Sequence, residues 1–150
     1  MTEPTRYLED FAPGVVYEAG AVQLTEAEIV EFARRYDPQP FHIDADAARS
    51  SIYGGLIASG WQTVAVTMRL LVDNVLSTAA SMGSPGIDEL RWLLPVRPGD
   101  TLAPRVTVLE SRPSRSKPDR GVLRFRVEVT NQTGELAMSL VGAAFVGRRP

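Results

Sequence analysis

The chain has no cysteine, a single histidine, His42, and a single lysine, Lys117. Without cysteine it can build no disulfide frame, thiolate zinc site or iron–sulfur cluster, and it has no thiol nucleophile. One histidine rules out the paired-histidine metal motifs and leaves only carboxylate-rich sites to consider, so no metal is expected. An excess of charge of one sign is missing too. Sixteen basic against 18 acidic side chains leave a net charge of −2, which offers no general attraction to nucleic acid or acidic lipid. Long apolar runs are also absent. The most apolar stretch, Leu56 to Ala80, carries Gln62, Arg69, Asp73 and Asn74, too many polar groups for a lipid-exposed span. The opening Met-Thr-Glu-Pro-Thr-Arg lacks the basic-then-apolar order of a secretory peptide, so a cytoplasmic location is expected.

What is present fits one domain over 1–150. A chain of 150 residues buries roughly two-thirds of the surface it exposes when unfolded. Residues 14–24 mix β-branched, aromatic and polar side chains and predict a first strand. Thr25-Glu26-Ala27-Glu28 matches a capping box, which opens a helix by satisfying its first free N–H groups. That helix ends near Tyr36, because Pro38 disfavours helical geometry at Asp37. A very short helix is expected over Ala45 to Ser50. Between Trp61 and Ala79, large or apolar residues at 61, 64, 65, 68, 72, 75, 76 and 79 keep helical spacing and predict a mostly buried helix roughly 30 Å long. Beyond Gly83 the pattern turns to strands over 87–96, 101–111, 122–130 and 136–146, separated by turn chemistry at Pro98-Gly99-Asp100, 113–121 and 131–134. Short connections predict an antiparallel meander. The reading is an α+β domain with a sheet curled around one long central helix.

The chemistry-bearing segment is Tyr36-Asp37-Pro38-Gln39-Pro40-Phe41-His42-Ile43-Asp44. A separation of five puts Asp37 and His42 on opposite faces of a strand and about 140° apart on a helix, so neither regular element joins them. A bent loop stiffened by Pro38 and Pro40 does. The plainer alternative is that Asp37-Pro38 merely ends the helix while His42 packs or faces solvent. A second feature is Gly54-Gly55-Leu56-Ile57-Ala58-Ser59-Gly60-Trp61. Glycine where a helix begins lets a ligand approach backbone N–H groups that carry partial positive charge, a setting suited to an oxyanion. Tight packing or a turn is the alternative there.

These two features, with the layout, resemble the MaoC-like dehydratases, the (R)-specific enoyl-CoA hydratases of hotdog fold. The family pattern Asp-x-Asn-Pro-x-His stands here as Asp37-Pro38-Gln39-Pro40-Phe41-His42, followed by Ile57-Ala58-Ser59-Gly60. The stretch Leu90 to Asp100 is similar to the one with which hotdog proteins begin their sheet. Gln39 replaces the usual Asn, and Ser59 stands where many members carry His.

The resemblance implies a hydratase or dehydratase of acyl thioesters with Asp37, His42 and Gly60 as the catalytic set. Asp37 would act as general base on a water that adds to C3 of a 2-enoyl thioester. His42 would orient that water and share in protonating C2, and the Gly60 N–H would hold the thioester oxygen. Taking a proton from water calls for a carboxylate made more basic by partial burial. Gln39, Pro40, Ser59 and Trp61, with Met68, are expected to shape the substrate pocket. No cofactor is implied beyond the coenzyme A or phosphopantetheine that carries the acyl group. Residues 111–126 place Arg112, Arg115, Lys117, Arg120, Arg124 and Arg126 against Asp119 alone. Arg112 and Arg115 could thus meet the carrier, coenzyme A phosphates or an acidic acyl carrier protein; a solvated hairpin is the alternative. Two other functions compete: a hotdog thioesterase, for which Asp73 lies too far along the helix, and a non-catalytic acyl-binding subunit, which would need neither Asp37 nor His42. Pairing of exposed sheet edges predicts a homodimer or an oligomer of dimers.

Overall fold

A computed structural model describes residues 2–150. After a short 3-10 turn at Leu8–Asp10, the chain forms two brief strands, β1 (Val16–Glu18) and β2 (Val22–Gln23). The expected single strand over 14–24 is therefore interrupted. Gly20 sits between the two pieces at a φ of 81°, in the left-handed region that glycine enters without steric cost. Helix α1 (Glu26–Tyr36) begins at the expected cap, with Thr25 accepting from the Glu28 N–H at 3.2 Å, although Glu28 accepts from the Thr25 hydroxyl at 2.9 Å and not from its backbone N–H. It stops at Asp37, before Pro38. Two short helices follow, α2 (Pro40–Ile43) and α3 (Ala45–Arg49), the latter capped by the Asp44 carboxylate on the Asp46 and Ala47 N–H groups.

The central helix α4 runs from Gly60 to Leu71 and continues as a π-helical turn over Val72–Leu76. At 1.5 Å per residue it spans about 25 Å, shorter than the expected 30 Å. The helical spacing carries on to Ala79, but the chain leaves the helix to reach the sheet, where Ser81 bridges Val146.

Four strands complete the fold: β3 (Gly86–Trp92), β4 (Thr101–Pro113), β5 (Arg120–Thr130) and β6 (Leu136–Gly147). Every pairing is antiparallel, in the order β1-β4-β5-β6-β3, with β2 also on β4. The sheet packed around one helix is the hotdog arrangement expected. It is not a meander, however. β3 pairs with β6, and the segment 93–100 crosses the end of the sheet to reach β4. Two features oppose a hairpin between β3 and β4. Pro95 and Pro98 lack ladder donors, and Leu93 and Leu94 instead give their N–H groups to the Ala137 carbonyl at the start of β6.

Alternation on β4 and β5 sends Leu102, Val106, Val108, Leu123, Val127 and Val129 into the core, where they meet Leu24, Ile29, Leu71, Val75 and Met138. The stripe of α4 that faces inward is only partly the one its apolar spacing suggests, with Val64 and Val75 on the core. Gln62, Thr63, Thr67 and Leu71 are buried, whereas Trp61 and Met68 are 58% and 48% exposed and Val72 is open as well. A helix apolar on nearly all sides gives no clear sign of which side the sheet takes.

Candidate active site

The end of α1, the turn of α2 and the start of α4 converge at one end of the sheet. Pro40 is the first residue of α2, where its missing N–H is of no consequence and its fixed φ suits the helix. The chain folds back over two residues, with the Gln39 N–H donating to the Asp37 carbonyl at 2.8 Å and the His42 N–H to the Gln39 carbonyl at 2.9 Å. The result brings the two ends of the motif together. His42 Nε2 lies 3.2 Å from Asp37 Oδ2. His42 therefore stands on a single helical turn rather than a loop, and only Asp37, Pro38 and Gln39 are irregular.

The imidazole is 4% exposed. Its Nδ1 is 2.7 Å from the Ile57 carbonyl oxygen; a carbonyl only accepts, so Nδ1 carries a proton and Nε2 is turned to the carboxylate. The edge of the ring meets Phe41, whose own ring packs on Tyr53. The carboxylate is held from both ends. Ser59 Oγ donates to Oδ2 at 2.8 Å and Gln39 Nε2 to Oδ1 at 2.6 Å.

This holding reverses one expectation. Burial pushes the Asp37 carboxyl up, but the hydrogen bonds from Gln39 and Ser59 and the charge of His42 together outweigh it, and the group lies below its ordinary value of 3.8. Asp37 is thus a stabilised carboxylate and not one made more basic by burial.

Gln39, His42, Gly60 and Thr63 line a cavity of about 350 Å³, which Phe41, Tyr53 and Ile57 share with the crossing segment Trp92 to Val96. As the first residue of α4, Gly60 has an N–H without an intrahelical acceptor. Its lack of a side chain has a local cause too. A Cβ there would come within 2.3 Å of the Trp92 ring, which lies against the helix start with Nε1 donating to the Gly60 carbonyl at 3.0 Å.

Of the residues expected in the site, Asp37, Gln39, His42, Ser59 and Gly60 come together; others do not. Ser59 is fully buried, serves the carboxylate and the helix cap, and does not line the cavity. Pro40 opens α2 and does not line the cavity. Trp61 faces outward, edge-on to Trp92 at 5.2 Å between centroids, and Met68 lines a different groove. Arg112 and Arg115 are at the far end of the sheet. Arg112 pairs across the ladder with Val122, and the strand from Val122 to Val129, near the cavity, covers about 24 Å. Arg112 is also bound to Glu110, and Arg120 to Asp119, so part of the basic run is neutralised locally. Trp92, Tyr53 and the Ile57 carbonyl escaped the sequence reading. Nothing local marks them, because each depends on a chain crossing set elsewhere.

Comparison with known proteins places this arrangement. The model of the MaoC-like domain matches residues 10–132. The chain belongs to that family. A crystal structure of the MaoC-like dehydratase from Rhodospirillum rubrum is 44% identical and superposes with a TM-score of 0.91, covering 97% of this chain and 99% of that one. The uncharacterized protein YdeM of Bacillus subtilis is 29% identical over 125 residues, 83% of this chain and 87% of YdeM. The R-hydratase PhaJ1 from Pseudomonas aeruginosa has a TM-score of 0.78 at 24% identity, over 95% of this chain and 86% of that one, a likeness of fold. The MaoC-like model stops in the β5–β6 turn, yet the likeness to the Rhodospirillum rubrum protein extends over nearly the whole chain, β6 included.

Proposed function

We propose that this MaoC-like protein is a hydratase or dehydratase of acyl thioesters, adding water to a 2-enoyl thioester or removing it from the 3-hydroxyacyl form. The observation that carries the reading is the Asp37–His42 pair, 3.2 Å apart beside a cavity that also contains the start of α4. Asp37 takes a proton from water, and the water oxygen bonds to C3. The double-bond electrons move to the thioester oxygen, where the Gly60 N–H stabilises the developing charge, an interaction worth about 3 kcal/mol. The Asp37–His42 pair then delivers a proton to C2, and the net result is H on C2 and OH on C3. With Nδ1 fixed on Ile57, His42 offers Nε2 alone to this exchange. Coenzyme A or an acyl carrier protein brings the acyl group; both present the same thioester.

The working unit is proposed to be a homodimer. β3 ends the sheet with its outer edge unpaired among the described residues, and exposed Ile87, Trp92 and Leu93 lie along it. Beside it, Trp61, Met68 and Val72 leave an apolar side of α4 open, flanking a groove of about 270 Å³. A second copy removes both liabilities at once.

The test is to assay hydration of crotonyl-CoA and hydrolysis of an acyl-CoA side by side. Hydration is expected, and Asp37→Asn or His42→Ala should lower it by at least about 10²-fold. Hydrolysis without hydration, or near-parental hydration in either variant, would sink the assignment.

A further inference from the structure

Gln39 was expected to touch substrate, as a neighbour of the acyl group. Its bonds point elsewhere. The backbone N–H donates to the Asp37 carbonyl, the backbone carbonyl accepts from the His42 N–H, and the side-chain amide donates to Asp37 Oδ1 at 2.6 Å. One residue is thus bonded to both halves of the pair. It also lines the cavity.

The lone pairs of the carboxylate can be counted. Each oxygen accepts about two hydrogen bonds. Oδ2 accepts from Ser59 Oγ at 2.8 Å and lies 3.2 Å from His42 Nε2. Oδ1 receives Gln39 alone, so one place remains for the proton of a water.

We propose that Gln39 is a positioning residue of the reaction, holding the Asp37 carboxylate by Oδ1 so that one lone pair of that oxygen is left for the attacking water. The inference deepens the hydratase reading and rests on it for its meaning in catalysis, but the contact can be measured without turnover. Gln39 acts through Asp37, not on the acyl group. The low position of the Asp37 carboxyl agrees with a donor on each oxygen.

Other ionisable groups nearby have their own engagements. On α1, the Tyr36 ring packs on Phe32 and lies beneath the Arg35 guanidinium, while Arg34 is exposed. α2 brings His42, and Tyr53 packs on Phe41. From α4 come only Ser59, Gln62 and Thr63, none of which titrates near neutrality. His42 is the titratable side chain that faces Asp37, with Nε2 3.2 Å from Oδ2.

The single histidine makes the test direct. Its two ring nitrogens give the only imidazole signals in the ¹⁵N spectrum, and ionisation of Asp37, 3.2 Å from Nε2, appears in them as an inflection on the acid side that Asp37→Asn removes. In Gln39→Ala this inflection is expected to rise by about one pH unit, a tenfold change in proton affinity, because a hydrogen bond to the charged form is lost. Gln39→Glu keeps the shape and should raise it further by placing a second carboxylate beside Oδ1. In the crotonyl-CoA assay the acid limb should move with it, and kcat should fall while KM changes less than about threefold. An inflection unmoved in both variants overturns the role, whatever the kinetics show. A raised KM with an unmoved inflection would return Gln39 to substrate contact. If the parent hydrates no thioester, the function reading fails while the titration still decides whether Gln39 governs Asp37.

Discussion

Asp37 and His42 are held by different means, and the difference governs how each responds to pH and mutation. His42 is oriented by a backbone carbonyl, which no side-chain substitution removes. Asp37 depends on two side chains, Gln39 and Ser59, and on His42 itself. Its carboxyl lies below the ordinary value of 3.8 despite the opposing effect of burial. A carboxyl depressed by folding stabilises the fold above its unfolded pKa, and that contribution is lost as the pH falls through the lower folded value. Compared with Asp37→Asn, the parent should therefore gain a constant increment of stability above about pH 5 that shrinks steadily below 3.8. Urea unfolding of both proteins at several pH values from 7 to about 3 measures it. A difference independent of pH would mean that the carboxylate is not preferentially held in the native state.

At the level of elements, the site depends on the contact between the start of α4 and the end of β3. Trp92 lies against Gly60 so closely that a Cβ would fall 2.3 to 2.7 Å from its indole atoms, and the hydrogen bond from Nε1 fixes the ring there. Gly60→Ala should therefore displace Trp92 and destabilise the protein by about 1–3 kcal/mol, the usual range for overpacking. Trp92→Leu in the same chain makes room, so the two changes should be non-additive, the double variant losing less than the sum. Thermal or urea unfolding of the four proteins of the cycle decides this, with tryptophan fluorescence reporting the ring. Strict additivity would show that the glycine serves something other than Trp92.

For the molecule as a whole, the open side of α4 and the free edge of β3 form one continuous expectation. Both belong to a surface where Trp61, Met68, Val72, Ile87 and Trp92 are exposed together, more apolar side chains in one place than a monomeric surface ordinarily tolerates. The parent should scatter light as a dimer at micromolar concentration. A charge placed at the centre of the patch, as in Met68→Glu with Ile87→Glu, should shift the mass to that of the single 16.4 kDa chain, because an unpaired carboxylate would have to be desolvated on association. A monomeric parent would count against the interface, as would a double variant that stays dimeric.

The amino-acid sequence by itself determined what short-range chemistry controls. Thr25 and Glu28 open α1 and Pro38 closes it; alternation lays out β4 and β5, and an apolar run lays out β6. The spacing from Asp37 to His42 with two prolines between was legible as a bend for the same reason, since proline acts on its own φ and its neighbour. Four matters were left to the tertiary structure. The apolar spacing of α4 pointed to 61, 64, 65, 68, 72, 75, 76 and 79. Val64 and Val75 do pack on the core, but 61, 65, 68 and 72 are exposed while 62, 63, 67 and 71 are buried, a choice that a helix apolar on most sides cannot make alone. β3 joins β6 because the crossing segment is tied to Ala137, more than forty residues away. Arg112 and Arg115 are carried from the site by the length of β5. The acidity of Asp37 depends on Ser59, 22 residues on, and on a His42 ring set by Ile57. Each of these rests on which distant groups a fold brings within hydrogen-bond or van der Waals reach, a property of the folded chain rather than of any window of residues.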